Sequence, residues 1–227
     1  MWDEVRWYAE VTSTNSVAAD WADAGAPEGS VVVAASQTAG RGRLDRVWYG
    51  APGETLMFSM VLRPTGGLPA SLSLAAGVAA CEVIRGLGLD ASVKWPNDVL
   101  VGAKKICGIL GEVHVDAVIL GVGMNINTDE FPSELKDAAT SLLLESGRPH
   151  DLKVVLKSFL SRFEDSYLHP ETLLMRYRQM CSTLGKHVQV EMPRASVQGL
   201  AVDIDESGGL VLDDGTVVHA GDITHVR

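Results

Sequence analysis

Residues 37–48, Gln37-Thr38-Ala39-Gly40-Arg41-Gly42-Arg43-Leu44-Asp45-Arg46-Val47-Trp48, place three arginines close together in an otherwise acidic chain. Gly40 and Gly42 remove side-chain bulk and permit positive φ, and guanidinium forks match carboxylate or phosphate oxygens. The segment reads as a mobile anion clamp or, equally, as a solvated basic loop. A dinucleotide fingerprint is disfavoured, because Asp45 stands where the third glycine is needed. A second segment, Lys94-Trp95-Pro96-Asn97-Asp98, sets a lysine at a strand end beside two oxygen-bearing side chains. It could hold a nucleotide phosphate, with a magnesium ion on Asp98, or form an ordinary hairpin turn with a snorkelling lysine. In Lys104-Lys105-Ile106-Cys107-Gly108, strand alternation sends the two lysines to opposite faces, and Gly108 leaves room for close approach. Gly121-Val122-Gly123-Met124-Asn125 ends a buried strand with small residues and an amide, a weak signal by itself.

These segments need elements to hold them. Alternation at Val5, Trp7, Ala9 and Val11 predicts a first strand, and Thr12-Ser13-Thr14-Asn15 supplies oxygens suited to capping a helix over Val17–Ala24. Further strands are expected at Val31–Ala35, Leu56–Leu62, Ser92–Trp95, Val99–Val101, Ile106–Val113 and Val115–Val122, with a long apolar helix around Leu68–Leu87. Leu152, Val155, Leu156, Phe159, Leu160 and Phe163 repeat at helical spacing and predict a helix from Asp151 to Leu168, followed by a shorter one over Glu171–Met180. Beyond Leu184-Gly185 the texture changes to short β-like runs punctuated by Pro193 and several glycines. The expected fold is α+β: a mixed-sheet domain over residues 1–184 and a small β module over 185–227, too small to fold readily alone.

Nineteen basic against 29 acidic residues give a net charge of −10, which opposes duplex DNA binding as a main role. With 46% hydrophobic residues the chain has enough apolar material for a core, but no apolar run approaches the roughly 20 residues that span a bilayer. The acidic N-terminus lacks the charge pattern of a secretory signal, so the expected location is cytoplasmic and no membrane partner is expected. Three scattered cysteines and six histidines show neither a disulfide framework nor metal-ligand spacing. The phosphate loop, serine elbow and HExxH zinc helix are all missing.

Taken together and in order, Ser13-Thr14-Asn15, Gln37 with Gly40-Arg41-Gly42-Arg43, Lys94-Trp95-Pro96-Asn97-Asp98, Lys105-x-x-Gly108-Ile109-Leu110 and Gly121-x-Gly123-x-Asn125 resemble the signature of the biotin protein ligases. The resemblance implies a class II synthetase-like catalytic sheet with a C-terminal SH3-like barrel. It implies a two-step activity: biotin and ATP form biotinyl-5′-AMP, and a lysine of a biotin carboxyl carrier protein takes the biotinyl group. It further implies biotin contacts for Ser13, Thr14, Asn15, Gln37, Arg41, Gly42, Arg43, Lys105 and Gly108. Adenylate contacts are implied for Arg41, Arg43, Arg46, Trp48, Lys94, Asn97 and Asn125, with Lys105, Arg43 and Lys94 as the catalytic cations and Mg²⁺ accompanying ATP at Asp98. Where the family often has a further glycine, this chain has Leu44-Asp45. A lipoate or octanoate ligase would share the architecture, and a non-catalytic biotin-responsive regulator is a rival of another class. A homodimer is compatible with the resemblance.

Some members carry an N-terminal winged helix, whereas here the first strand begins almost at Met1. With the net charge of −10, this leads us to expect no sequence-selective DNA retardation at physiological salt, with or without biotin and ATP. A saturable, sequence-selective shift in a gel-retardation assay would contradict the expectation.

Overall fold

A computed structural model of the chain describes residues 1–44, 46–64, 69–192 and 195–225. Its centre follows from two apolar stretches, Thr55–Leu62 and Ala117–Asn125, which are buried at every position, as strands covered on both faces must be. They form β3 (Thr55–Leu62) and β7 (Ala117–Asn125), an antiparallel pair in the middle of a seven-stranded mixed sheet. Outside β3 lie β2 (Val31–Ala34) and, parallel to it, β1 (Val5–Tyr8). Outside β7 lie β6 (Lys104–His114), β5 (Asp98–Val101) and β4 (Ala91–Lys94), all antiparallel to their neighbours. The first strand is shorter than its alternation predicts. Pairing with β2 stops at Tyr8, and Val11 makes only an isolated bridge to Gln37 as the chain turns into the first helix.

That helix, α1 (Thr14–Asp23), covers one face, packing Ala18, Trp21 and Ala22 on Val32, Val61 and Ile119. Gly25 at φ 87° ends it, a conformation that costs glycine nothing. The other face is covered by α2 (Pro69–Gly86), α4 (Leu152–Leu168) and α5 (Leu173–Met180). Small residues in α2 allow close approach: a Cβ at Gly77 would stand 3.3 Å from Val93 Cγ1. Phe159 of α4 meets Phe58 of β3 edge-on at 5.0 Å, and Arg176 of α5 binds Glu82 of α2 and Asp165 of α4. Asp151 caps α4 by accepting from the Lys153 and Val154 amides, as its sequence position suggests. The expected helix start at Leu68 lies outside the described residues. A five-residue helix, α3 (Leu142–Ser146), is too short to show a periodicity in sequence.

The C-terminal strands, β8 (His187–Met192), β9 (Ala195–Ile204), β10 (Leu210–Leu212), β11 (Val217–Val218) and β12 (Asp222–His225), form a five-stranded antiparallel sheet in the order β11-β10-β9-β8-β12. Pro193, expected as a breaker, and the last two residues of the module, 226–227, lie outside the described residues. The small sheet shares its core with the large one. Trp95, 1% exposed, donates its indole N–H to the Gly208 carbonyl at 2.9 Å, and Arg178 donates to Ile204 O at 2.6 Å.

Removing the module would therefore uncover a large buried indole and strip its N–H and the Arg178 guanidinium of their carbonyl partners. A chain ending at Ser182 should stay partly folded but melt less cooperatively, and it should lose ATP binding, carrier labelling or both. Full activity of that chain in calorimetric titration and carrier-labelling assays, or a cooperative melt of an isolated 185–227 fragment, would contradict this dependence.

Candidate active site

The β6–β7 register builds a floor without side chains. Gly108 pairs directly with Gly123, and Gly121 lies two residues before it on the same face of β7. Each glycine is needed for space. A Cβ at Gly121 would stand 2.1 Å from Asn15 Oδ1, one at Gly123 would stand 2.3 Å from Trp48 Cε2, and one at Gly108 would stand 2.7 Å from Trp48 Cζ3. The start of α1 forms one end of this recess. Ser13 occupies the N-cap position, but its hydroxyl makes no capping bond. The capping role suggested by Thr12-Ser13-Thr14-Asn15 is thus corrected: Ser13, Thr14 and Asn15 are buried and line a cavity of about 250 Å³. Gln37 Oε1 accepts from Thr14 N at 2.7 Å and its Nε2 faces Met57 Sδ at 3.3 Å, so the amide orientation is set from both sides. Ser59 Oγ, wholly buried on β3, lies 2.6 Å from Asn15 Oδ1 and 2.7 Å from Thr14 Oγ1.

The arginine loop folds back over the floor. Trp48 N donates to Gly40 O at 3.0 Å, Gly42 N donates to Arg46 O at 2.6 Å, and Arg41 bridges Val47. A Cβ at Gly40 would stand 2.7 Å from Trp48 O, so the close return of the chain requires glycine there. Leu44 adopts φ 53°, the left-handed region that a glycine would enter freely and that costs a side-chain-bearing residue about 1–2 kcal/mol. Asp45, its partner in the departure from the family pattern, lies outside the described residues. The three guanidinium groups diverge. Arg41 Nη2 binds Glu112 Oε2 at 2.8 Å, Arg43 Nη1 donates to Asn97 Oδ1 at 3.0 Å and Gly221 O at 3.4 Å, and Arg46 pairs with Asp222. The loop is thus fastened to β6, to the β4–β5 turn and to β12.

Lys105 and Lys104 do point to different jobs. Lys105 Nζ lies 2.6 Å from Asp98 Oδ1 and 5.5 Å from the Trp48 ring centroid, whereas Lys104 Nζ binds the Lys136 carbonyl. Burial lowers the pKa of Arg43, with Asp98 acting in the opposite sense. Burial also lowers Lys94, again opposed by Asp98 and reinforced by the neighbouring cations Lys105 and Arg46. Lys94 pairs with Asp98 across the β4–β5 hairpin but does not line the cavity, unlike every other cation expected at the site. Asn97 holds Arg43 and donates to the Ile109 carbonyl, a positioning task as well as a wall of the cavity. Asn125 donates to Thr140 O at 3.0 Å, leaving its buried Oδ1 without a partner.

No group of three or more potential metal ligands occurs among the described residues. Asp98 Oδ1 meets Lys105 as an ion pair without a well-aligned hydrogen bond, so this oxygen can be recruited by another cation. The donor set fits a magnesium ion carried on a triphosphate, with one carboxylate in reach, and does not fit a resident metal. Sequence reasoning missed Ser59, Glu112 and Asp222 as site residues. Ser59 had a signal, a lone hydroxyl in the apolar run Leu56–Leu62; Glu112 and Asp222 are brought in by tertiary pairing alone.

Comparison with known proteins agrees with this geometry. Residues 7–129 match the model of the biotin/lipoate A/B protein ligase family, and residues 183–226 match that of the biotin protein ligase C-terminal domain. The bifunctional ligase/repressor BirA of Bacillus spizizenii is 37% identical over 89% of this chain and 67% of its own length. A biotin--[acetyl-CoA-carboxylase] ligase of Mycobacterium tuberculosis is 36% identical over 100% of this chain and 90% of its own. The Aquifex aeolicus biotin protein ligase solved with biotin and ATP superposes with a TM-score of 0.88 at 31% identity, covering 99% of both chains. By its sequence, fold and glycine-floored recess, the chain belongs to the biotin/lipoate A/B protein ligase family and carries that family's biotin protein ligase C-terminal domain.

Proposed function

We propose that the chain is an ATP-dependent biotin protein ligase that forms biotinyl-5′-AMP and transfers biotin to a lysine of a biotin carboxyl carrier protein, the carrier of acetyl-CoA carboxylase or a related carboxylase. The observation that carries the reading is the convergence of Lys105 and the arginine loop on a side-chain-free floor ending in the Thr14–Gln37 acceptors. In the first step a biotin carboxylate oxygen attacks the α-phosphorus of ATP, and pyrophosphate leaves. Both reactants are anions, so the barrier falls only if positive charge is held in place beforehand. Lys105 can exchange Asp98 for the reacting carboxylate, while Arg43, fixed by Asn97, faces the phosphoryl group. Bound Mg²⁺ supplies further charge on the phosphates, and Asp98 is the residue that would hold it. In the second step the carrier amine attacks the carbonyl carbon of the mixed anhydride, and AMP leaves.

Trp48 and the glycine loop keep water from the anhydride between the steps. Asn125 Oδ1, buried and unpartnered, is an acceptor for the adenine amino group. Lys94 acts from behind Asp98, raising the local positive potential without touching substrate. We divide the chain functionally at Leu184–Gly185, with the small sheet closing the nucleotide side through Gly221 and Asp222.

Incubation with biotin, ATP and Mg²⁺ should release pyrophosphate, and lipoate or octanoate should not replace biotin; release driven by those acids and not by biotin would overturn the assignment. Lys105→Ala should leave the fold intact and slow pyrophosphate release by about 10²–10³-fold, the scale for removing one preorganised electrostatic donor. Near-normal release would remove Lys105 from the reaction. Arg43→Gly frees the loop from Asn97 and Gly221, so biotinyl-AMP should escape faster and label exposed lysines of bystander proteins. Unchanged retention on a spin column would count against the clamp.

A further inference from the structure

Leu44 is the one side-chain-bearing residue with positive φ among the described residues, and it lies at the tip of the arginine loop. Arg46 N donates to Arg43 O at 3.2 Å, Gly42 N donates to Arg46 O at 2.6 Å, and Arg41 bridges Val47 in the antiparallel sense. Residues 41–47 are thus a small hairpin in which Leu44 is the first residue inside the turn. A hairpin turn with positive φ at that position favours asparagine or glycine there. Leucine is neither. Its side chain is 53% exposed and off the cavity wall, so burial and ligand contact do little to offset the strain. We infer that Leu44 is a built-in spring: its left-handed backbone strains the closed arginine loop and sets how long the adenylate stays behind it. The inference rests on the reading of the site as one that makes biotinyl-5′-AMP.

The strain exists only while the turn is formed. A hairpin this short is not stable in water by itself, so the turn persists through its anchors. These are Arg41 on Glu112, Arg43 on Asn97 and the Gly221 carbonyl, and Arg46 on Asp222. The two ion pairs are partly exposed, where such pairs contribute little and salt screens them. Weak anchors set against a strained turn leave the closed and open loop close in free energy. Opening returns Leu44 to negative φ, where a leucine is relaxed, and a loop that opens readily admits the carrier lysine and lets AMP leave. A residue that enters the left-handed region freely would remove the strain from the closed state alone, and the loop would stay shut longer. A β-branched residue, for which that region is worse still, would do the reverse.

The test measures how long biotinyl-5′-AMP, formed on the protein from radiolabelled biotin, ATP and Mg²⁺, stays bound after passage through a spin column at low ionic strength. It compares the wild type with Leu44→Asn, Leu44→Gly, Leu44→Ala and Leu44→Val. The exposed position should let all four fold, and thermal melts check this; should the valine variant, the one that adds strain, fail to fold, the other three decide. Asparagine should lengthen the half-life about fivefold, and glycine about threefold because it also gains freedom in the open loop. Alanine keeps the left-handed strain and loses only the side chain, so its half-life should stay within about twofold of the wild type, while valine should shorten it about threefold. Unchanged half-lives in the asparagine and glycine variants would overturn the inference. So would an alanine variant that matches them, because the leucine side chain and not its backbone would then set retention. A wild type that forms no biotinyl-5′-AMP from biotin and ATP would instead overturn the function on which the inference rests.

Discussion

The β6–β7 register is the constraint on which the site depends. It sets Gly108 against Gly123, and it carries Lys105 near the start and Glu112 near the end of β6. With side chains on the floor, Trp48 could not lie against it and the arginine loop could not close. With the register shifted by one residue, Val122 and Ile109 would fill the recess and the glycines would face the helices. The long antiparallel pairings of β3, β7 and β6 pin that register, and the burial of β3 and β7 on both faces leaves a slipped alternative with nowhere to put its apolar side chains.

The second demand is electrostatic. A chain with a net charge of −10 has to hold two anions in contact, and it does so by pairing each cation of the site with an acceptor of its own before substrate arrives. Arg41 uses Glu112, Arg43 uses Asn97, Arg46 uses Asp222 and Lys105 uses Asp98. Such partners keep the cations from repelling one another and fix the loop, at the cost of an exchange when the carboxylate and phosphates enter. These pairs are partly exposed, where an ion pair contributes little to stability, so their value lies in placement. Two of these arginines also join the loop to the small sheet, Arg43 through Gly221 and Arg46 through Asp222.

Much of this was legible in the sequence, for identifiable reasons. The central strands announce themselves because Leu56–Leu62, interrupted by Ser59, and Val115–Val122, interrupted near its start by Asp116, are otherwise apolar runs, and α4 because Asp151 caps a regular 3.6-residue stripe. The arginine loop stood out against an acidic background, and its glycines carry a steric reason for being there. What failed was whatever tertiary packing decides. Thr12-Ser13-Thr14-Asn15 reads locally as a cap, yet Ser13, Thr14 and Asn15 are turned inward, with Gly121 making room for Asn15. Lys94 reads like Lys105, a lysine on a strand next to the site, yet only Lys105 lines the cavity. Glu112 and Asp222 are ordinary surface acids until the loop, more than sixty and a hundred and seventy residues away in sequence, is folded onto them.

The glycine floor can be tested with one methyl group. In Gly123→Ala the added Cβ would fall 2.3 Å from Trp48 Cε2, so the indole and its loop must move, while the strand backbone can accept alanine. Isothermal titration of biotin into this variant is the direct measurement. The melting temperature should stay close to that of the wild type and biotin affinity should weaken at least about tenfold, the equivalent of about 1.4 kcal/mol. Unchanged affinity in a folded G123A protein would show that the recess tolerates a side chain there and that the floor need not be bare.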